Sequence, residues 1–114
     1  MSGGDIEIKR EKLGTTTILS PVGDVDLGRS PALREELKSA QRERPARLVV
    51  DLSGVPYMDS SGVATLVEAL QVSRKSAINM ILCGVTERVK SVFEIMRLDT
   101  VFKILGTRED ALKN

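Results

Sequence analysis

The sequence predicts an α/β fold: a small mixed β-sheet with an antiparallel N-terminal hairpin and helices packed on it. Three observations predict it. The first 20 residues hold two β-type runs separated by Leu13-Gly14. Later apolar runs, around Leu48 to Leu52, Ile78 to Cys83 and Phe102 to Leu105, have the length of strands. Between them lie segments whose apolar residues recur at helical spacing, and strand-helix-strand connections imply parallel pairing.

Taken in order, Met1 to Gly4 read as a frayed start. Ile6 and Ile8 alternate with charged neighbours, the two-residue period of a half-exposed strand. After the Leu13-Gly14 turn, Thr15 to Ser20 is rich in β-branched residues and forms the second hairpin arm, which Pro21-Val22-Gly23 ends or bends. Gly23 to Ser30 is a loop; Ser30 is placed to cap a helix and Pro31 to open it. Leu33, Leu37 and Ala40 give that helix its apolar side, and Pro45 marks its end. Leu48-Val49-Val50-Asp51-Leu52 is nearly continuous apolar sequence, as expected of a strand covered on both faces.

A loop from Ser53 to Gly62 then leads into Val63, Leu66, Val67 and Leu70, the stripe of a second helix. Ile78 to Cys83 is a fourth strand ended by Gly84, and Val89, Val92, Phe93 and Met96 keep helical spacing after it. Phe102 to Leu105 is a short last strand. Thr107 to Lys113 is a final helix with Thr107 as its cap and Asp110 near its positive end. The order is β-β-α-β-α-β-α-β-α in one domain, residues 1–114, with no repeat or linker.

Composition narrows the chemistry. Seventeen Lys and Arg against sixteen Asp and Glu leave a net charge of +1, too balanced to steer the chain to nucleic acid or an anionic membrane. The absence of His removes the Ser-His-Asp and Cys-His arrangements and nearly every zinc site. The single Cys83 has no internal partner, the start lacks the apolar run of a signal peptide, and no stretch approaches a membrane span. A cytoplasmic location is expected. Met58, Met80, Met96 and Phe93 fall in apolar patterns and are expected in the core. Cys83 is expected to be buried and inert. Arg42, Arg44 and Arg47, interspersed with Glu43, read as a solvated loop. Tyr57 either lies exposed in its loop or lines the core.

The informative stretch is Val49 to Val63, which runs strand, loop, helix start. In open α/β sheets, function gathers beyond the carboxyl ends of parallel strands, where helix N-termini offer free N–H groups. Asp59, Ser60 and Ser61 fall at such a place, and any of the three can serve as a helix cap. Asp24, Asp26 and Asp59 are also conceivable metal ligands, although docking and capping explain three loop carboxylates equally well.

Asp59-Ser60-Ser61-Gly62 after Tyr57-Met58, together with Gly23-Asp24-Val25-Asp26 before the first helix, resembles the anti-sigma factor antagonist family of the STAS fold. The resemblance covers nearly the whole chain. It implies that Ser60 is a phosphoacceptor for an anti-sigma factor that is itself a serine kinase, and that Asp26 takes part in partner binding. It matches Asp59 to the carboxylate preceding that serine. Asp24, Tyr57, Asp59, Ser61 and Gly62 complete the expected docking surface, with Ser61 mainly a helix-start residue. Ala64 and Asp24 depart mildly from the family pattern, and these departures are expected to tune which partner is accepted.

The resemblance further implies partner switching. The unphosphorylated chain binds the kinase, which frees its sigma factor, and phosphorylation reverses this with little change in fold, because a helix N-terminus can hold a phosphate. The expected partners are the kinase and a phosphatase, met by a monomer in transient heteromers, with no catalysis of its own and no cofactor, metal, nucleic acid or membrane. Two other roles belong to related STAS domains: scaffold subunit of a signalling assembly, and accessory subunit of a transporter.

Overall fold

The computed structural model describes residues 5–114; the expected frayed start at 1–4 lies outside the described residues. Strands β1 (Glu7–Leu13), β2 (Thr16–Val22), β3 (Arg47–Asp51), β4 (Asn79–Cys83) and β5 (Ile104–Leu105) form one sheet in sequence order. Helices α1 (Ser30–Arg42), α2 (Ser60–Lys75), α3 (Glu87–Ile95) and α4 (Arg108–Leu112) follow β2, β3, β4 and β5 in turn. The element order is the one read from the sequence. β1 and β2 pair antiparallel around Gly14, which takes φ +61° in the turn, and every later pair is parallel.

Alternation along the central strands explains their near-continuous apolar sequence. Leu19, Leu48, Val50 and Leu82 face a core shared with Leu33 and Leu37 of α1, Leu66 of α2 and Val89 and Phe93 of α3. Their neighbours Ile18, Val49, Ile81 and Cys83 face the opposite side, where Ala111 of α4 covers them. Both faces are therefore dry at the sheet's middle, and burying a Val, Leu or Ile side chain stabilises by about 1.5–3 kcal/mol. Cys83 is buried as expected, and burial pushes its thiol up to about 11, which disfavours the reactive thiolate at neutral pH.

Several local expectations are corrected. Ser30 is the first residue of α1 rather than its cap; Arg29 holds the cap position but its side chain makes no capping bond to the first turn, and the Asp26 carboxylate accepts the Arg29 N–H instead. Met96 lies outside the core, because α3 ends at Ile95 and the chain reverses at Arg97, φ +59°, leaving Ile95 and Met96 exposed. β5 is shorter than expected, since Phe102 turns into the core and stacks on Phe93 with centroids 5.4 Å apart before the strand begins. Arg47 is part of β3, not of a solvated loop, and its guanidinium donates to the Ala111 carbonyl at 2.9 Å. Arg42 and Arg44 are exposed.

Two polar links hold the layers in register. Gln41 of α1 is buried and donates to the Ala69 carbonyl (2.8 Å) and the Ser73 hydroxyl (2.9 Å) of α2. Arg108 of α4 reaches three strands at once, donating to Glu11 (2.8 Å), Ser20 (2.9 Å) and Asp51 (3.2 Å). Among the described residues no helix is long and apolar enough to cross a membrane.

Removing the Arg108 side chain strands the mostly buried Asp51 carboxylate and loosens α4 over Cys83. Arg108→Ala is expected to lower the unfolding free energy by about 1–3 kcal/mol. It is also expected to speed the reaction of Cys83 with a thiol reagent, whereas an unchanged denaturation midpoint and thiol rate contradict the anchoring role.

Candidate functional site

The loops that leave the carboxyl ends of β2 and β3 meet and extend the sheet's pairing beyond the strands. Gly23 N–H donates to the Gly54 carbonyl (2.9 Å), Val25 N–H to the Tyr57 carbonyl (3.0 Å) and Asp59 N–H to the Val25 carbonyl (3.1 Å). Val25 and Met58 form an isolated parallel bridge, and both side chains are completely buried. Buried apolar residues thus root each loop, while their polar neighbours Asp24, Asp26, Asp59 and Ser60 remain outside or at the rim.

Asp59 is the cap of α2, with extended backbone at φ −92° and ψ −174°. Its Oδ1 accepts the N–H groups of Ser61 (2.9 Å) and Gly62 (3.2 Å) and the Ser61 hydroxyl (2.5 Å). Its Oδ2 accepts the Leu27 N–H from the other loop at 3.1 Å. One carboxylate therefore starts the helix and ties the two loops together. Partial burial pushes the Asp59 carboxyl up, but the Ser61 hydroxyl and the N–H groups of Gly62, Ser61 and Leu27 outweigh it and hold it below the usual aspartate range.

Ser60, the first residue of α2, is exposed, and its hydroxyl takes part in none of the loop's hydrogen bonds. Ser61 is turned inward to Asp59, so the two adjacent serines have different surroundings. Asp26 sits in the facing loop and is partly exposed. Its Oδ1 accepts the Arg29 N–H (3.0 Å), and its Oδ2 pairs with the Arg29 guanidinium (2.8 Å). Asp24 is exposed beside it. Tyr57 is half-buried, with the Arg88 guanidinium 5.2 Å from its ring centroid, which resolves the two readings of Tyr57 into an intermediate one. Between the starts of α1 and α2 runs a groove of about 270 Å³ lined by Leu27, Ser30, Arg34, Ser61 and Thr65.

Gly62 is buried, and its lack of a side chain is what the packing requires. A Cβ there falls 2.5 Å from Met58 Cγ and 2.9 Å from Val25 Cγ1. Among the described residues no three His, Cys, Asp or Glu side chains come together to hold a metal ion. The sequence reading missed Leu27, which carries its side chain 74% exposed at the site while its N–H is held by Asp59. Its only local signal is an apolar residue between Asp26 and Gly28. The reading also missed Arg29 and Arg88, whose partners become visible only once the loops are assembled.

The fold and its paired loops have known counterparts. A STAS domain family model matches residues 7–111. The anti-sigma-B factor antagonist of Listeria monocytogenes is 31% identical over 99 residues, covering 87% of this chain and 86% of that protein. The anti-sigma-F factor antagonist RsfB of Mycobacterium tuberculosis is 31% identical over 98 residues, covering 83% and 77%. In three dimensions, an anti-sigma factor antagonist from Mycobacterium paratuberculosis superposes with a TM-score of 0.88 at 23% identity, over 98% of this chain and 95% of that one. The chain therefore belongs to the STAS domain family, and both of the curated relatives named above are anti-sigma factor antagonists.

Two substitutions test the site's construction. Asp59→Ala removes the cap and the tie to Leu27 together and is expected to cost about 1–2 kcal/mol in denaturant unfolding at neutral pH. Because Asp59 is more acidic folded than unfolded, its contribution is complete above the ordinary aspartate range and is lost as the pH falls through the depressed folded value. The gap between wild type and variant therefore narrows in acid; a gap independent of pH contradicts the carboxylate's role. For Gly62→Ala, helix propensity alone predicts a gain of up to about 1 kcal/mol. Overlap with Met58 and Val25 predicts a loss of about 1–3 kcal/mol, so the sign of the change in melting temperature decides between them.

Proposed function

We propose that this protein is an anti-sigma factor antagonist that works by partner switching, with Ser60 as its phosphoacceptor. In its unphosphorylated form it binds an anti-sigma factor serine kinase through the surface formed by the β2–α1 loop and the start of α2, and the kinase releases its sigma factor. Phosphorylation of Ser60 ends that association. The observation that carries the reading is an exposed, unengaged hydroxyl at the first position of α2, set beside a carboxylate that is itself fixed in place. The names of the curated relatives support the same role.

Physical chemistry supports release by charge. A phosphate adds about −1.5 to −2 charges near neutral pH, taking the chain from +1 to about −1. The helix end offers the phosphate less than the sequence suggests, because Asp59 already holds the N–H groups of Ser61 and Gly62. The phosphate and the Asp59 carboxylate together put two negative groups on the same surface. A partner carboxylate about 4 Å away at an effective dielectric near 20 costs about 4 kcal/mol for each unit pair, about a thousandfold in affinity. The bulk of the phosphoryl group adds to this. The fold need not change, since the Ser60 hydroxyl takes part in none of the bonds that build the site.

The test is to mix the purified chain with serine-kinase anti-sigma factors and ATP and to map the modified residue by mass spectrometry. Phosphate is expected on Ser60. Ser60→Ala is expected to abolish incorporation while retaining partner binding, and Ser60→Asp is expected to weaken binding. Phosphate on Ser61, or loss of binding in Ser60→Ala, overturns the assignment.

A further inference from the structure

We propose that Arg29 occupies the Asp26 carboxylate in the unbound protein as a stand-in for a cation of the partner, so that docking proceeds by exchange of one cation for another. The proposal rests on the reading above, in which Asp26 faces an anti-sigma factor kinase, and adds the chemistry of the contact: an arginine or lysine on the partner's surface.

The two oxygens of Asp26 have separate tasks. Oδ1 accepts the backbone N–H of Arg29 and belongs to the start of α1, whereas Oδ2 meets only the Arg29 guanidinium, at 2.8 Å. Exchange at Oδ2 leaves the start of the helix intact. The pair is accessible, with side-chain exposures of 37% for Arg29 and 43% for Asp26. An ion pair this exposed is worth little, so opening it costs a partner little.

A second observation is independent of that geometry. Arg29 stands at the cap position of α1, the positive end of the helix, and the first turn of α1 contains no acidic residue. A cation at this place opposes the helix field. The guanidinium has no hydrogen bond or ion pair other than to Asp26 among the described residues. Local helix physics therefore gives no reason for Arg at position 29. Neutralising the docking carboxylate until a better cation arrives does: it modestly weakens adhesion to any basic surface, the cognate one included, so that only a partner with further contacts binds well.

The test is a double-mutant cycle of Arg29→Gln and Asp26→Asn, in which both backbone N–H groups are retained. The dissociation constant is measured for the kinase that modifies Ser60. Arg29→Gln is expected to bind about two- to fivefold more tightly, with a steeper dependence on salt. In the Asp26→Asn background the same change is expected to bring no gain. Weaker binding by Arg29→Gln, or an equal gain in both backgrounds, overturns the proposal; the first means that Arg29 itself meets the partner, the second that net charge alone is at work. A hexa-arginine peptide serves as a probe free of the kinase. Amide shifts of residues 25–30 on its addition are expected to be larger in Arg29→Gln than in wild type, and equal shifts overturn the exchange. The expected peptide result together with no kinase association defeats the docking reading alone.

Discussion

The site depends on one carboxylate bonding in two directions. Asp59 Oδ1 satisfies N–H groups that a helix start leaves without partners, and Oδ2 reaches across to the Leu27 N–H of the neighbouring loop. A capping residue of another type can perform the first task. The second needs an additional acceptor held at the right angle, which a second carboxylate oxygen supplies and a serine hydroxyl turned inward does not. The consequence for function is geometric. The residue after Asp59 begins the helix with its side chain exposed, and that residue is Ser60.

This arrangement stands on a platform whose rigidity comes from burial on both faces. Val49 and its neighbours beneath the sheet and Leu48 and Val50 above it leave β3 little freedom, so the loop it feeds starts from a fixed point. Val25 and Met58 carry the pairing of β2 and β3 outward, and Gly62 lets α2 begin directly against them. On the far side, Arg108 grips Asp51 at the end of the same strand, while the other oxygen of Asp51 accepts the Ser53 N–H at the root of the loop. The exposed polar residues of the site are thus held by buried apolar ones directly beneath them. A surface built this way can change its charge without changing its shape.

Much of this was legible in the sequence where the governing forces are local. Strand and helix periods follow from which face is buried, and Leu48-Val49-Val50 announces a strand covered on both sides; the crossovers then settle parallel pairing. Thr107 caps α4 as its spacing predicts. What the sequence left open is decided by contacts distant along the chain. Asp59, Ser60 and Ser61 are all competent caps, and the choice among them turns on the Leu27 N–H, 32 positions away. Ser30 before Pro31 has the local form of a cap, yet Asp26 folds back to take the Arg29 N–H first. Met96 keeps helical spacing but follows the last turn of α3, where no element covers it. The partners of Arg108 lie up to 97 positions away, beyond the reach of any pattern.

Amide hydrogen exchange probes the central claim most directly, because the bonds of Asp59 are bonds to amides. If its carboxylate joins the helix start to the facing loop, the amides of Leu27, Ser61 and Gly62 lose protection together in Asp59→Ala, while those of Ile18 and Val49 in the sheet keep theirs. Retention of protection at Leu27 when Ser61 and Gly62 lose it contradicts the account: the two loops are then held by something else, and Asp59 is a helix cap alone.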